Sequence, residues 1–121
     1  MLEEIRGLPP HVVGLRATGN ITKEHYDQVF IPAVERVANK YKEINLLLLL
    51  ETDLSDFSGG AYVKDILTGF EHFSQWNRIA IVTDQKWVEK ATDMFSVIAP
   101  GEYMGFEIAE LEKAKQWVEE Q

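Results

Sequence analysis

A serine, three carboxylates and two adjacent glycines lie within residues 51–60, ETDLSDFSGG, directly after a run of five leucines. Ser58 in DFSGG has the placement of the nucleophile elbow G-x-S-x-G, although Asp56 stands where the first glycine belongs. Such a nucleophile needs a base within about 3 Å of its proton. His72, the one histidine further along, falls inside the next predicted helix, roughly 18 Å away at about 1.5 Å per residue. The pattern favours a helix-capping turn serine, with a serine hydrolase as an alternative.

Glu51, Asp53 and Asp56 raise a second possibility, a metal site, because carboxylate oxygens are the ligands that Mg²⁺ and Ca²⁺ prefer. A receiver-type magnesium site also needs an acidic pair after its first strand and a lysine near its last. The sequence has RATGN and YMGFE in those places. A phosphate at the helix start near Ser58 would be repelled by the same acids. A solvated acidic rim is therefore the favoured interpretation, and a carboxylate metal site at residues 51–60 stays an alternative.

The bulk composition narrows the class of protein. The chain has 121 residues, 45% of them hydrophobic, which suits a single folded domain over residues 1–121. Its formal net charge of −8 argues against nucleic acid as a partner, because phosphate contacts require clustered Lys and Arg. There is no cysteine, and no apolar run approaches the roughly 20 residues of a membrane span. We expect a cytoplasmic protein that is not an integral membrane protein and binds no cofactor.

The elements that must position the turn follow from hydrophobic periodicity. Residues 11–19 alternate with a period of two and predict a half-exposed strand, with a short edge strand before it at residues 2–6. Residues 22–41 predict a helix that Pro32 should loosen. Continuous apolar runs at residues 44–50 and 78–83 predict strands covered on both faces, as in a parallel sheet. The remaining predictions are helices at residues 61–75 and 86–98, a strand at residues 103–108 and a terminal helix at residues 109–120.

Three stretches together resemble the SpoIIAA-like family, which is related to STAS anti-sigma-factor antagonist and CRAL-TRIO domains. They are the leucine strand running into DFSGGAYVKDI, the segment WNRIAIVTDQKWVEKA, and GFEIAELEKAKQWV near the end. The resemblance implies an α/β fold in the order β-β-α-β-α-β-α-β-α. Its sheet would be mostly parallel with an antiparallel N-terminal edge strand.

The resemblance also implies a possible phosphoswitch in the same turn. Antagonist domains carry an Asp-Ser-Ser/Thr-Gly turn at this point and present its first serine to a kinase. Asp56 and Gly59 match that frame, but Phe57 occupies the acceptor position and Ser58 follows it. Because phenylalanine cannot be phosphorylated, we expect no switch of this kind, and Ser55 and Ser58 remain formal alternatives.

The helix after the turn has a wider apolar face than packing on a core requires. Its apolar positions cover an arc of about 140°, where about 100° suffices for a surface helix. Burial against sheet and neighbouring helix explains such a face, and a binding surface explains it too. We predict a non-catalytic module that binds an apolar small molecule, including a lipid-like one, or a protein partner, with a homodimer as one form of the latter. The expected surface lies near the carboxyl ends of the parallel strands and comprises Phe57, Ser58, Tyr62, Phe70, Trp76 and Trp87.

Overall fold

The computed structural model describes residues 2–18, 23–51, 75–84 and 102–120. The helices predicted at residues 61–75 and 86–98 lie outside the described residues. The elements in chain order are β1 (Leu2–Glu4), β2 (Val12–Ala17), α1 (Lys23–His25), a π-helical turn (Tyr26–Phe30), α2 (Ile31–Ala38), β3 (Ile44–Leu50), β4 (Trp76–Thr83), β5 (Glu102–Glu107), a 3-10 turn (Ile108–Glu110) and α3 (Leu111–Glu119).

The five strands form one sheet in the order β1-β2-β3-β4-β5. β1 runs antiparallel to β2, and the three remaining neighbouring pairs are parallel. The predicted α/β fold is confirmed, with a mostly parallel sheet and an antiparallel edge strand at its N-terminal side. Among the described helices, none is long and apolar enough to cross a membrane.

Both faces of the sheet carry a hydrophobic core, which explains the leucine run. All seven residues of β3 are buried, as expected for a strand with neighbours on both sides and helices on both faces. The core on the α2 side includes Val13, Leu15, Phe30, Val34, Leu46, Leu48, Ile79 and Ile81, and the core on the α3 side includes Val12, Leu47, Leu49, Ala80, Val82, Phe106, Ala114 and Val118.

A β-bulge interrupts the pairing of β3 with β4 at their amino ends. Ile44 pairs with Trp76 and the next residue, Asn45, pairs with Arg78, so Asn77 is an extra residue in β4. Trp76 belongs to the core on the α2 side, whereas regular alternation from Ala80 backwards would place it on the α3 side. The bulge therefore reverses the direction of the Trp76 side chain.

Pro32 is preceded by an irregular helical turn, as its lack of an N–H predicts. The five residues Tyr26–Phe30 are π-helical, and α2 begins at Ile31 with Pro32 in its first turn. Proline has no N–H to donate to the carbonyl four residues earlier, and its ring crowds that carbonyl. The widened turn accommodates this conflict, and the expected loosening is confirmed.

Candidate functional site

Most of the residues predicted to form the binding surface lie outside the described residues. These are Phe57, Ser58, Tyr62, Phe70 and Trp87, so the predicted surface stays a prediction. Ser55, Asp53 and Asp56 lie outside the described residues as well. Trp76 is described, and it is a core residue at the amino end of β4 with 4% exposure. Its position is opposite to the carboxyl ends at which the surface was expected.

An ion pair connects the carboxyl ends of β2 and β3. The Arg16 Nε atom donates to Glu51 Oε1 over 2.8 Å, and Nη2 donates to Oε2 over 3.0 Å. This hydrogen bonding, with the charge of Glu51, raises the pKa of Arg16 above its ordinary value. A raised arginine pKa favours folding at every pH below the ordinary value, and the effect is lost only as the pH rises through the raised one. Glu51 therefore already has a cationic partner.

Thr83, the last residue of β4, is the unusual polar group of this edge. Its side chain is completely buried, with 0% exposure. Among the residues that the structure describes, its Oγ1 is the side-chain polar atom buried without a hydrogen-bond partner. Leaving a buried hydroxyl unpaired costs about 1–3 kcal/mol, so its retention requires an explanation.

A second polar cluster lies at the opposite, amino end of the sheet and is centred on Asn45. The Nδ2 atom of this 1% exposed side chain donates to the carbonyl oxygens of Val118 over 2.6 Å and Glu120 over 3.2 Å. Its Oδ1 atom accepts from Asn77 Nδ2 over 3.1 Å and from the Arg78 backbone N–H over 3.3 Å. Asn45 thus connects the end of α3 to the start of β4.

Arg78 completes this attachment of α3. Its Nη1 atom donates to the Trp117 carbonyl over 2.8 Å and to Glu120 Oε2 over 3.0 Å, and its Nε lies 3.4 Å from Glu102 Oε2. The guanidinium carbon lies 5.0 Å from the centroid of the Trp117 ring, within the range of a cation–π contact. A cation at a helix C-terminus also interacts favourably with the helix dipole. These contacts give Arg78 a structural role in the attachment of α3, while Glu51 pairs with Arg16.

His11 binds the same helix end. Its Nε2 atom lies 2.9 Å from the carbonyl oxygen of Glu119, so Nε2 carries the proton and donates it. Its ring meets the Tyr41 ring edge-on with centroids 6.4 Å apart. Within the described ranges, no group of three His, Cys, Asp or Glu side chains is placed to hold a metal ion.

Sequence reasoning missed the Asn45 cluster, although one signal was available. An amide inside the apolar run INLLLLL is a polar group in a buried strand, and such groups almost always have hydrogen-bond partners. The partners themselves are carbonyls 73 and 75 residues away, and no local pattern identifies them.

Comparison with known proteins gives one match. The family model described as SpoIIAA-like matches residues 12–119. No curated protein and no solved structure matches the chain significantly.

Proposed function

Because the chain belongs to the SpoIIAA-like family, we propose that it is a non-catalytic binding module with its ligand site at the carboxyl ends of the parallel strands. A domain of this family fits a STAS-like regulatory or protein-interaction role. The ligand would bind at the edge of the sheet where the parallel strands end. Residues 1–121 would form a single domain.

The observation that carries this proposal is the unpartnered Thr83 hydroxyl. In open parallel sheets, ligands bind beyond the carboxyl ends of the strands. Thr83 ends β4, a central strand with parallel neighbours on both sides. A buried polar atom without a partner at this position is what a ligand-binding fold would retain, because the ligand supplies the missing hydrogen bond.

The ligand class follows from the surroundings of that hydroxyl. The nearest residues of the same strand and its neighbour, Val82, Ile81 and Leu50, are buried and apolar. These surroundings fit a molecule with an apolar body and one polar group that forms a hydrogen bond with Oγ1. Lipid-like molecules belong to this class. The chain segments that follow β3 and β4 would supply Phe57, Ser58, Tyr62, Phe70 and Trp87 to the site. Trp76 is excluded from the proposed surface because it lies in the core at the other end of β4.

Family membership favours a second candidate function, in which the same edge binds a protein partner. A second copy of the chain is one such partner. The two functions differ in what must reach Thr83. A small molecule can occupy a buried site once the covering residues open, whereas a protein surface contacts exposed side chains. The hydroxyl of Thr83 is therefore needed in the first case and irrelevant in the second.

The test replaces the hydroxyl by a methyl group of the same shape. Thermal unfolding of wild type, Thr83→Val and Thr83→Ser is measured with and without a panel of medium-chain fatty alcohols and fatty acids. We expect a compound that raises the Tm of wild type and of Thr83→Ser but raises that of Thr83→Val much less. Without ligand, Thr83→Val should be as stable as wild type or more stable, because it removes an unpaired buried hydroxyl.

Two results contradict the small-molecule proposal. A lower Tm of ligand-free Thr83→Val would mean that the hydroxyl already has a partner in the free protein. If no compound shifts wild type and native mass spectrometry shows a dimer, the protein-partner function replaces it.

A further inference from the structure

A groove of about 920 Å³ runs along β1 and the segment after it, at the edge of the sheet remote from β5. We call it the β1 groove. One wall is β1 with residues 5–10, and the other is formed by Val29 of the π-helical turn, Val37 of α2 and Lys40 beyond the end of α2. The apolar part of the lining is supplied by Leu2, Ile5, Leu8, Pro9, Val29 and Val37.

Among the described strands, β1 has a neighbour on one side only, so its outer backbone groups have no partner strand there. The Ile5 N–H donates to the Gly14 carbonyl over 2.8 Å, so the backbone of Ile5 points towards β2. Every second residue of an antiparallel strand points its N–H and C=O the same way. Glu3 therefore also faces β2, while the N–H and C=O groups of Leu2 and Glu4 point outward. An outer edge of this kind is a template for pairing with another strand.

The cations of the β1 groove give it a charge opposite to that of the whole chain. Arg6, Arg36 and Lys40 line it together with the acids Glu3 and Glu4. Three cations against two acids give it a formal charge of +1 on a chain of net charge −8. Arg36 pairs with Glu4, and that hydrogen bond raises the pKa of Arg36. Neither Arg6 nor Lys40 has an ion-pair partner within the described part of the chain. These two cations are available to a ligand.

We propose that the β1 groove binds an extended segment of a protein partner, with acidic and apolar residues in alternation, that adds a strand to β1. The outward N–H and C=O groups of Leu2 and Glu4 provide the backbone pairing, as in other cases of strand addition. The side chains of Leu2 and Glu4 lie on the α2 side of the sheet, since their partners Ala17 and Leu15 belong to that core. Acidic side chains of the added strand interact with Arg6 and Lys40, which both line the groove, and apolar ones cover the rest of the lining.

Two other occupants fit less well. A second copy of the chain offers a β1 of only three residues for pairing, and it brings a second set of groove cations of the same sign. An anionic lipid headgroup would use the cations but leave the outward backbone groups of β1 without partners. An extended peptide uses both features.

The test measures the binding of a fluorescein-labelled heptapeptide of alternating valine and glutamate to the full chain by fluorescence anisotropy. The charge-reversed peptide of valine and lysine is the ligand control. The double variant Arg6→Gln/Lys40→Gln should weaken binding by about five-fold, since each exposed ion pair contributes modestly. Lys113→Gln is the matched protein control, because Lys113 is an exposed cation on α3 and outside the groove. It should leave the affinity unchanged.

A second measurement follows the backbone. Hydrogen exchange detected by NMR should show that saturating glutamate peptide slows exchange at the amide of Glu4 and leaves Glu3, already paired with β2, little changed.

Several results would overturn the proposal. They are equal affinity for the lysine peptide, full affinity in the double variant, and unchanged exchange at Glu4. Sedimentation with anionic phospholipid vesicles in the absence of peptide binding would assign the cations to a membrane surface instead. A dimer in native mass spectrometry that Glu3→Arg abolishes would assign the edge to a second copy.

Discussion

Gly14 is a position at which the fold leaves room for a hydrogen atom and nothing larger. A Cβ atom placed there would clash with Leu8 Cδ1 and lie 3.1 Å from Ile5 Cβ. Both neighbours belong to the segment that joins β1 to β2 and crosses the sheet on the α3 side, where Ile5 and Leu8 pack on the core. The same segment contains Gly7, whose φ of +88° is a conformation that side chains disfavour. Two glycines therefore allow this connection to lie flat on β2.

Gly14→Ala should destabilise the protein by about 1–3 kcal/mol, because overpacking forces Leu8 out of its place and displaces Ile5. Urea unfolding followed by tryptophan fluorescence measures the change. The same substitution in a Leu8→Ala background should cost less, since the closest contact is gone and the two sites are coupled. An equal cost in both backgrounds would show that the contact with Leu8 is not its cause.

Side-chain amides and a guanidinium hold the C-terminal ends of two helices. Asn45 and Arg78 bind the last carbonyls of α3. Gln75 does the same beyond α2, donating through Nε2 to the carbonyls of Ala38 over 3.3 Å and Tyr41 over 3.2 Å. The last carbonyls of a helix have no partner within it, and here residues at or before the start of β3 and β4 provide one. Each helix is thereby fixed against the sheet at its C-terminal end.

Asn45→Ala should cost roughly 3 kcal/mol, because it leaves the Val118 and Glu120 carbonyls and the Arg78 N–H with fewer partners in a buried place. Hydrogen exchange should show that the loss of protection is concentrated in α3. Urea unfolding measures the total change in the free energy of unfolding. Asn77→Ala is the matched control, since Asn77 is half-buried and its side-chain amide donates to Asn45 Oδ1. Asn77→Ala should lower the free energy of unfolding clearly less than Asn45→Ala does. Similar losses in the two variants would contradict a central role of Asn45.

The sheet is protected unevenly between its centre and its β1 edge. β3 and β4 have a strand on each side and a core on each face. β1 has one neighbour, three residues and two exposed glutamates. Amides in regions of few buried contacts open locally at low free-energy cost, whereas those in the core exchange only on global unfolding.

Native-state hydrogen exchange should therefore be slowest in β3 and β4 and fast at the outward amide of Glu4 in β1. The ranking is measured by NMR on the ligand-free chain under conditions in which exchange reports opening. Amides of β1 that exchange as slowly as those of β4 would mean that the outer edge is already paired in solution, which would also count against a vacant β1 groove.

The architecture was predictable and the long-range contacts were not. The alternating residues 11–19 and the continuous apolar run 44–50 identified β2 and β3. The expected half exposure of β2 was wrong, because Ile5 and Leu8 cover its second face and leave Arg16 as its one exposed residue. The irregular helical turn before Pro32 was predictable because proline has no backbone N–H to donate. The partners of Arg78 and Asn45 depend on how α3 lies across the sheet, which no local pattern encodes. The same holds for the buried, unpartnered hydroxyl of Thr83.

The extra residue at the bulge changes the side of the sheet to which the preceding part of β4 points. Every strand position assigns its side chain to one of two sides, and Asn77 shifts that assignment by one for everything before it in β4. The indole of Trp76 therefore lies in the core on the α2 side, while Arg78 lies on the α3 side and binds the end of α3. A relative without this insertion would have to carry its aromatic residue one place nearer to the arginine, or fill the α2 layer from another element.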